Sequence, residues 1–212
     1  MIDKHVLQFI TDGATPLAVV EQVKDVLEGG CRWIQLRLKD FADSDINEVV
    51  EAVKPMCRRH KSLLIMNDRV DIAAKHNLDG VHLGKGDMPV AEARQILGED
   101  AIIGVTANTL EDIIFLSQQP MSYFGLGPMR FTTTKKNLSP EIGLPGYHNL
   151  VEGMRATGVT KPAVAIGGIT LEDVNDLLEL GLWGVAVSGA IAKSKNRKES
   201  TEKFMDIISK FN

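Results

Sequence analysis

Hydroxyl and ammonium groups gathered on one short segment are the first chemistry this chain offers. Residues 123–136 read YFGLGPMRFTTTKK, an apolar run closed by Gly127-Pro128 and followed by Thr132, Thr133, Thr134, Lys135 and Lys136. Each of those side chains can donate to negative charge, so the segment suits the oxygens of a phosphate or pyrophosphate. An exposed polar loop has the same composition. Only the placement of the segment in the fold separates the two readings.

Other polar residues fall into equally suggestive patterns. Gln35, Arg37 and Lys39 alternate with Ile34, Leu36 and Leu38. At a period of two, the three polar residues share one face of a strand and the aliphatic ones share the other. A partly buried arginine and lysine must pair with acids or meet an anionic ligand. Asp68 and Asp87 each follow a short apolar run. On neighbouring parallel strands about 4.8 Å apart, two such carboxylates could share one hard cation. Mg²⁺ suits that arrangement, because it accepts one or two protein carboxylates while phosphates and waters complete its shell. Taken singly, Asp68 reads as a helix N-cap and Asp87 as a turn residue. The metal reading depends on their pairing beside an anion site. Thr106 and Asn108 add a hydroxyl and an amide, and Gly167-Gly168 and Ser188-Gly189 add backbone that a phosphate could approach closely. His82 lies mid-strand and reads as an interior or supporting histidine before a general base.

These groups need a frame that brings strand ends together. Apolar runs at Leu7–Thr11, Trp33–Arg37, Ser62–Asn67, Gly80–Gly84, Ile102–Thr106, Tyr123–Gly127, Pro162–Gly167 and Gly184–Ser188 are strands by length and composition. Between them, Pro16–Glu28, Ser44–Arg59, a short stretch to His76, Pro89–Leu97, Leu110–Gln118, Tyr147–Ala156 and Leu171–Leu180 have helical periodicity. In the last helix, Phe204, Ile207, Ile208 and Phe211 fall at i, i+3, i+4 and i+7. Strands apolar on both faces that alternate with helices predict a buried parallel sheet, and eight such units predict a closed (β/α)8 TIM barrel in one domain over residues 1–212. A doubly wound open sheet is the competing architecture. The regular spacing and the lack of a GxGxxG after the first strand count against it. In a barrel, chemistry collects on the loops after the carboxyl ends of the strands, where the polar and glycine residues above all lie.

Composition narrows the partners. The 212 residues carry a net charge of -4 with 44% hydrophobic and 25% charged residues, so no clustered basic face invites nucleic acid or an acidic membrane. The run Lys193-Ser194-Lys195-Asn196-Arg197-Lys198 reads as a solvated connector before the last helix. Cys31 and Cys57 sit in no metal or redox pattern and read as small buried hydrophobes. With neither a leader-like start nor an apolar run near the roughly 18 residues of a membrane span, the sequence predicts a cytoplasmic protein. It leaves a homo-oligomer open.

The motifs QLRLKD, MNDR, GVHLGKGD, IIGVTANT, GLGPMRFTTTKK, AVAIGGI and GVAVSGAI, in this order, closely resemble those of the thiamine-phosphate synthase family over almost the whole chain. The resemblance implies a transferase of thiamine biosynthesis. It would join 4-amino-2-methyl-5-hydroxymethylpyrimidine diphosphate to 4-methyl-5-hydroxyethylthiazole phosphate and release pyrophosphate, which departs first and leaves a carbocation for the thiazole nitrogen to capture. It places Gln35, Arg37, Lys39, Asn67, Thr106 and Lys135 on the pyrimidine diphosphate, with Lys135, Arg37, Lys39 and Thr106 as the catalytic groups. It puts Mg²⁺ on Asp68 and Asp87. Thr132, Thr134 and the loops at Gly167, Gly168, Val187 and Ser188 would hold the thiazole phosphate. No nucleophilic side chain is needed, in keeping with the lack of a Ser-His-Asp or Cys-His arrangement.

Three positions depart from the family pattern. Lys85 stands for the usual glutamine of HLGQxD, Arg130-Phe131 for an aromatic or aliphatic residue and a proline, and Asn108 for a histidine. The two extra cations are expected to strengthen anion binding. A thiazole tautomerase, which resembles this family, and a noncatalytic phosphate-sensing barrel are the competing functions. The polar stretch 129–143 is a candidate lid.

Overall fold

Short strands that are apolar on both faces can be satisfied only by cover on both sides, and this chain supplies it by closing its sheet. In the computed structural model, which describes residues 6–131 and 140–211, eight parallel strands form a closed barrel in chain order. They are β1 (Val6–Ile10), β2 (Trp33–Leu36), β3 (Leu63–Asn67), β4 (Gly80–Leu83), β5 (Ile102–Ala107), β6 (Tyr123–Leu126), β7 (Ala163–Ile166) and β8 (Gly184–Val187). β1 pairs with both β2 and β8, so no strand edge is left among them.

The period-two alternation sorts the side chains into two cores. Outward residues such as Phe9, Ile34, Leu36, Val81 and Val185 pack under the helices. Inward residues Ile10, Trp33, Ile65, Tyr123, Val164 and Ala186 fill the barrel itself. Both thiols are buried as expected, and burial pushes Cys31 up to about 11 and Cys57 up to about 12.

The covering helices are α1 (Pro16–Glu28), α2 (Asp43–Arg59), α3 (Val70–His76), α4 (Val90–Leu97), α5 (Leu110–Ser117), α6 (Gly143–Ala156), α7 (Val174–Glu179), α8 (Gly189–Ala192) and α9 (Arg197–Ile208). Local chemistry sets their starts. Thr15 caps α1 through Ala18 N at 3.3 Å with Pro16 at its first turn, and Thr109 and Asp112 form a reciprocal capping box on α5. At the far end α9 packs on α1 and α7 and buries Phe204 and Ile208.

Three expected helices differ in detail. The segment after β7 begins as a 3-10 turn over Leu171–Asp173, because Asp173 bends back to the backbone N–H of Thr170 at 2.7 Å. The helix expected from Tyr147 starts at Gly143. The chain after β8 makes two helices, because the Asn196 side chain accepts from Glu199 N at 3.2 Å and starts α9 afresh. The run expected to be a plain connector therefore contains a helix cap.

Candidate active site

At the carboxyl ends of the strands a cavity of about 650 Å³ opens. Gln35, Arg37, Lys39, Asn67, Asp68, Asp87 and Thr106 line it from β2 to β5, and Gly167, Gly168 and Ser188 line it from β7 and β8. The barrel thus brings these ten expected site residues to one rim. Val187 is different: its side chain belongs to the outer core, leaving only its backbone near the loop. Thr132, Thr134, Lys135 and most of the 129–143 stretch lie outside the described residues.

The β2 face follows its alternation. Gln35 is buried, Arg37 is partly buried with its backbone N–H donating to Thr11 Oγ1 at 2.9 Å, and Lys39 reaches Asp68 Oδ2 at 2.9 Å. Asp68 sits in the left-handed region at φ 63, which an aspartate tolerates better than most residues. The turn is tight: Asp68 N donates to His82 O at 2.9 Å, and Val70 N donates back to Asp68 O at 3.1 Å. Asp68 caps no helix by its side chain, and the position before α3 is Arg69. Asp87 does take part in its turn, accepting from Gly84 N at 2.6 Å.

The two aspartates meet across the ends of β3 and β4. Burial raises the Asp87 carboxyl, and its hydrogen bond with Asp68 raises it further. Burial acts the same way on Asp68 but is outweighed by hydrogen bonds from Asp87 and Lys39, which leave that carboxyl lowered. A pair of carboxyls driven to share a proton is a natural place for a divalent ion, which offsets the repulsion instead. Among the described residues no group of three or more His, Cys, Asp or Glu gathers to hold a metal. Asp68 and Asp87 are thus the carboxylates that the described residues would offer an ion here, with phosphate and water to fill its other positions. That donor set fits Mg²⁺.

The opposite rim is built from backbone. Gly167 and Gly168 have φ of 89 and 72, and a Cβ on either would lie within 2.7 or 2.5 Å of Pro128 or Arg130. Only glycine lets this loop press against the segment after β6, where Met129 N donates to Ile166 O at 3.0 Å and Arg130 N to Gly167 O at 3.1 Å. The Asn67 Nδ2 and Ser188 Oγ atoms are buried with no hydrogen-bond partner among the described residues. Leaving such groups unmet costs on the order of 1–3 kcal/mol each, and both residues line the cavity.

The residues that depart from the family pattern each have a partner within the fold. Lys85 Nζ lies 2.6 Å from Asp112 Oδ2. Arg130 makes a two-pronged pair with Asp173 at 2.5 and 2.7 Å and also donates to Gly168 O at 2.6 Å. Both cations reach the cavity, and each already has an acid against it. Arg130 instead ties the β6 loop to the β7 loop. Asn108 Nδ2 donates to Gly127 O and ties the β5 loop to the β6 loop in the same way.

The sequence reading places Lys193 in a solvated connector and not at the site. Lys193 lines the pocket and lies 3.8 Å from Asp12. It follows Gly189 by one helical turn, and a Cβ on Gly189 would touch its side chain at 3.9 Å. The i, i+4 spacing from Ser188-Gly189 was the available signal.

Comparison with known proteins gives the family and agrees on the fold. The thiamine monophosphate synthase family model matches residues 7–191. The chain is 47% identical over 201 residues to the thiamine-phosphate synthase of Bacteroides fragilis, covering 95% of this chain and 98% of the relative. It is 44% identical to that of Phocaeicola vulgatus, covering 98% and 100%. Among solved structures, thiamine phosphate pyrophosphorylase from Pyrococcus furiosus superposes with a TM-score of 0.85 at 31% identity, covering 99% of this chain and 98% of that one.

Proposed function

The chain belongs to the thiamine monophosphate synthase family, and from that premise we propose that it is a thiamine-phosphate synthase. It joins 4-amino-2-methyl-5-hydroxymethylpyrimidine diphosphate to 4-methyl-5-hydroxyethylthiazole phosphate. One observation carries this reading: a cationic and carboxylate-bearing rim from β2 to β5 faces a glycine-built rim from β7 and β8 across one cavity. The first suits a diphosphate and the second a single phosphate.

The residues act by position and charge. Arg37 and Lys39, with Lys135 outside the described residues, favour the diphosphate as its C–O bond breaks and it leaves with the electron pair. Mg²⁺ bound by Asp68 and Asp87 would neutralise oxygens of the same leaving group. Gln35, Asn67 and Thr106 orient the pyrimidine, while Gly167, Gly168 and Ser188, with Thr132 and Thr134, hold the thiazole phosphate. The thiazole nitrogen then gives its lone pair to the cationic carbon, and the new C–N bond leaves the ring as a thiazolium. Asn108 argues against a tautomerase, since an amide neither gains nor loses a proton near neutrality and this one is spent on Gly127 O.

Mixing both substrates with Mg²⁺ and following pyrophosphate release tests the proposal. Release that requires both substrates together supports it. Thiazole phosphate binding without release would favour the tautomerase or the noncatalytic barrel.

A further inference from the structure

A single file of buried polar side chains crosses the barrel beneath the cavity. Gln35 Nε2 donates to Gln8 Oε1 at 3.1 Å, and Gln8 Nε2 donates to Tyr123 Oη at 3.0 Å. Tyr123 Oη lies 2.9 Å from His82 Nδ1, and His82 Nε2 lies 3.1 Å from Thr106 Oγ1. Gln8 and Tyr123 are wholly buried and do not line the cavity, whereas Gln35, His82 and Thr106 do. Space for the file is built into the strands. A Cβ on Gly104 would lie 2.2 Å from the Tyr123 ring, and one on Gly125 would lie 2.8 Å from His82 Cε1.

With the Gln8 amide oriented as in these contacts and the His82 ring neutral, donor and acceptor capacity sets the direction of the remaining links. The Tyr123 hydroxyl has one hydrogen. Since its oxygen accepts from Gln8, that hydrogen goes to His82 Nδ1. The ring proton then sits on Nε2 and is donated to Thr106 Oγ1. Thr106 therefore accepts from inside the barrel and keeps its own hydrogen for the cavity, while Gln35 spends an N–H on Gln8 and keeps its carbonyl oxygen. Reversing the Gln8 amide would reverse all the links together, because each group along the file would have to exchange its role.

We propose that Gln8 and Tyr123 are positioning residues that lock the hydrogen-bond polarity of the cavity, presenting an acceptor at Gln35 and a donor at Thr106 to an aminopyrimidine. This rests on the function proposed above. The amino group of such a ring donates and its ring nitrogens accept, so the locked pattern complements it. A 4-oxo pyrimidine, with those roles exchanged, meets the wrong pattern at both ends.

Two variants break the file without touching the cavity: Tyr123→Phe removes only the hydroxyl, and Gln8→Met removes only the amide. The expected result is a fall of about tenfold or more in the preference for the 4-amino over the 4-oxo pyrimidine diphosphate in kcat/KM, with KM for thiazole phosphate within about twofold of wild type. Comparing the same two substrates in each protein cancels their intrinsic reactivity. Long-range ¹⁵N spectra of the His82 ring give an independent readout in the wild-type protein. They should show a bare Nδ1 and a protonated Nε2, with that fixed tautomer lost in Tyr123→Phe. An unchanged preference in the folded variants, or a wild-type ring protonated on Nδ1 alone, overturns the inference. If neither variant folds, the wild-type spectrum still decides. Failure of the wild-type protein to release pyrophosphate from any pyrimidine diphosphate would instead remove the functional proposal and leave the tautomer result standing.

Discussion

Lys39 Nζ lies 2.9 Å from Asp68 Oδ2, so a cation expected on the diphosphate and a carboxylate expected on the metal hold each other. The contact is half-exposed on the lysine side, at 44% against 22% for the aspartate, and a pair of this kind is easily exchanged for a better partner. In the proposed reaction a diphosphate arriving with Mg²⁺ would give Lys39 an anion and Asp68 a cation at the same moment.

Asp68→Ala should therefore raise the Mg²⁺ concentration needed for half-maximal turnover by about tenfold or more, the usual scale for loss of a metal-supporting group. A metal titration of pyrophosphate release checks it. Unchanged metal dependence would withdraw Asp68 as a ligand.

Gly168→Ala should impair the thiazole phosphate side selectively. At φ 72 the added Cβ is strained and would press to 2.5 Å from Arg130 Cγ. KM for thiazole phosphate is expected to rise by about tenfold, with KM for the pyrimidine diphosphate little changed. Steady-state kinetics with each substrate varied in turn separate the two.

For Lys193→Ala, a rise of about threefold to tenfold in KM for thiazole phosphate with nearly constant kcat is expected, the mark of a group that binds ground state and transition state alike. The same kinetics decide it, and an unaltered KM would return Lys193 to the surface.

Asp173 gives the clearest pH dependence. The Arg130 guanidinium beside it holds its carboxyl below the ordinary value of 3.8, against the opposing effect of burial. A depressed carboxyl stabilises the fold above its unfolded value, and that contribution is lost as the pH falls through the folded one. Asp173→Asn should cost about 2 kcal/mol at pH 7 and make the acid limb of stability shallower than in wild type. Denaturant unfolding from pH 7 down to pH 3 measures both. Parallel acid limbs would show that the pair contributes little.

The strand faces and the acid pair were legible in the sequence for simple reasons. Gln35, Arg37 and Lys39 alternate with aliphatic residues, and Asp68 and Asp87 end consecutive strands, so period and order alone place them. What was not legible depends on closure of the barrel. Gln8 and Tyr123, separated by 115 residues, meet only because β1 and β6 face across the interior, and each looks like an ordinary strand residue by itself. Arg130 looked like a loose cation because its acid lies 43 residues further on. Lys193 looked like part of a connector because a helix of four residues folds it back over Gly189.

Four described cations around the cavity come with acids of their own: Lys39 with Asp68, Lys85 with Asp112, Arg130 with Asp173 and Lys193 with Asp12. A ligand entering here must outbid an internal counterion for each of these four charges it takes. Weak or singly charged anions gain little by that exchange, while a compact, multiply charged group gains at several points together. Charge pairs of this kind in a resting mouth set a threshold that favours a highly charged ligand over a small singly charged anion.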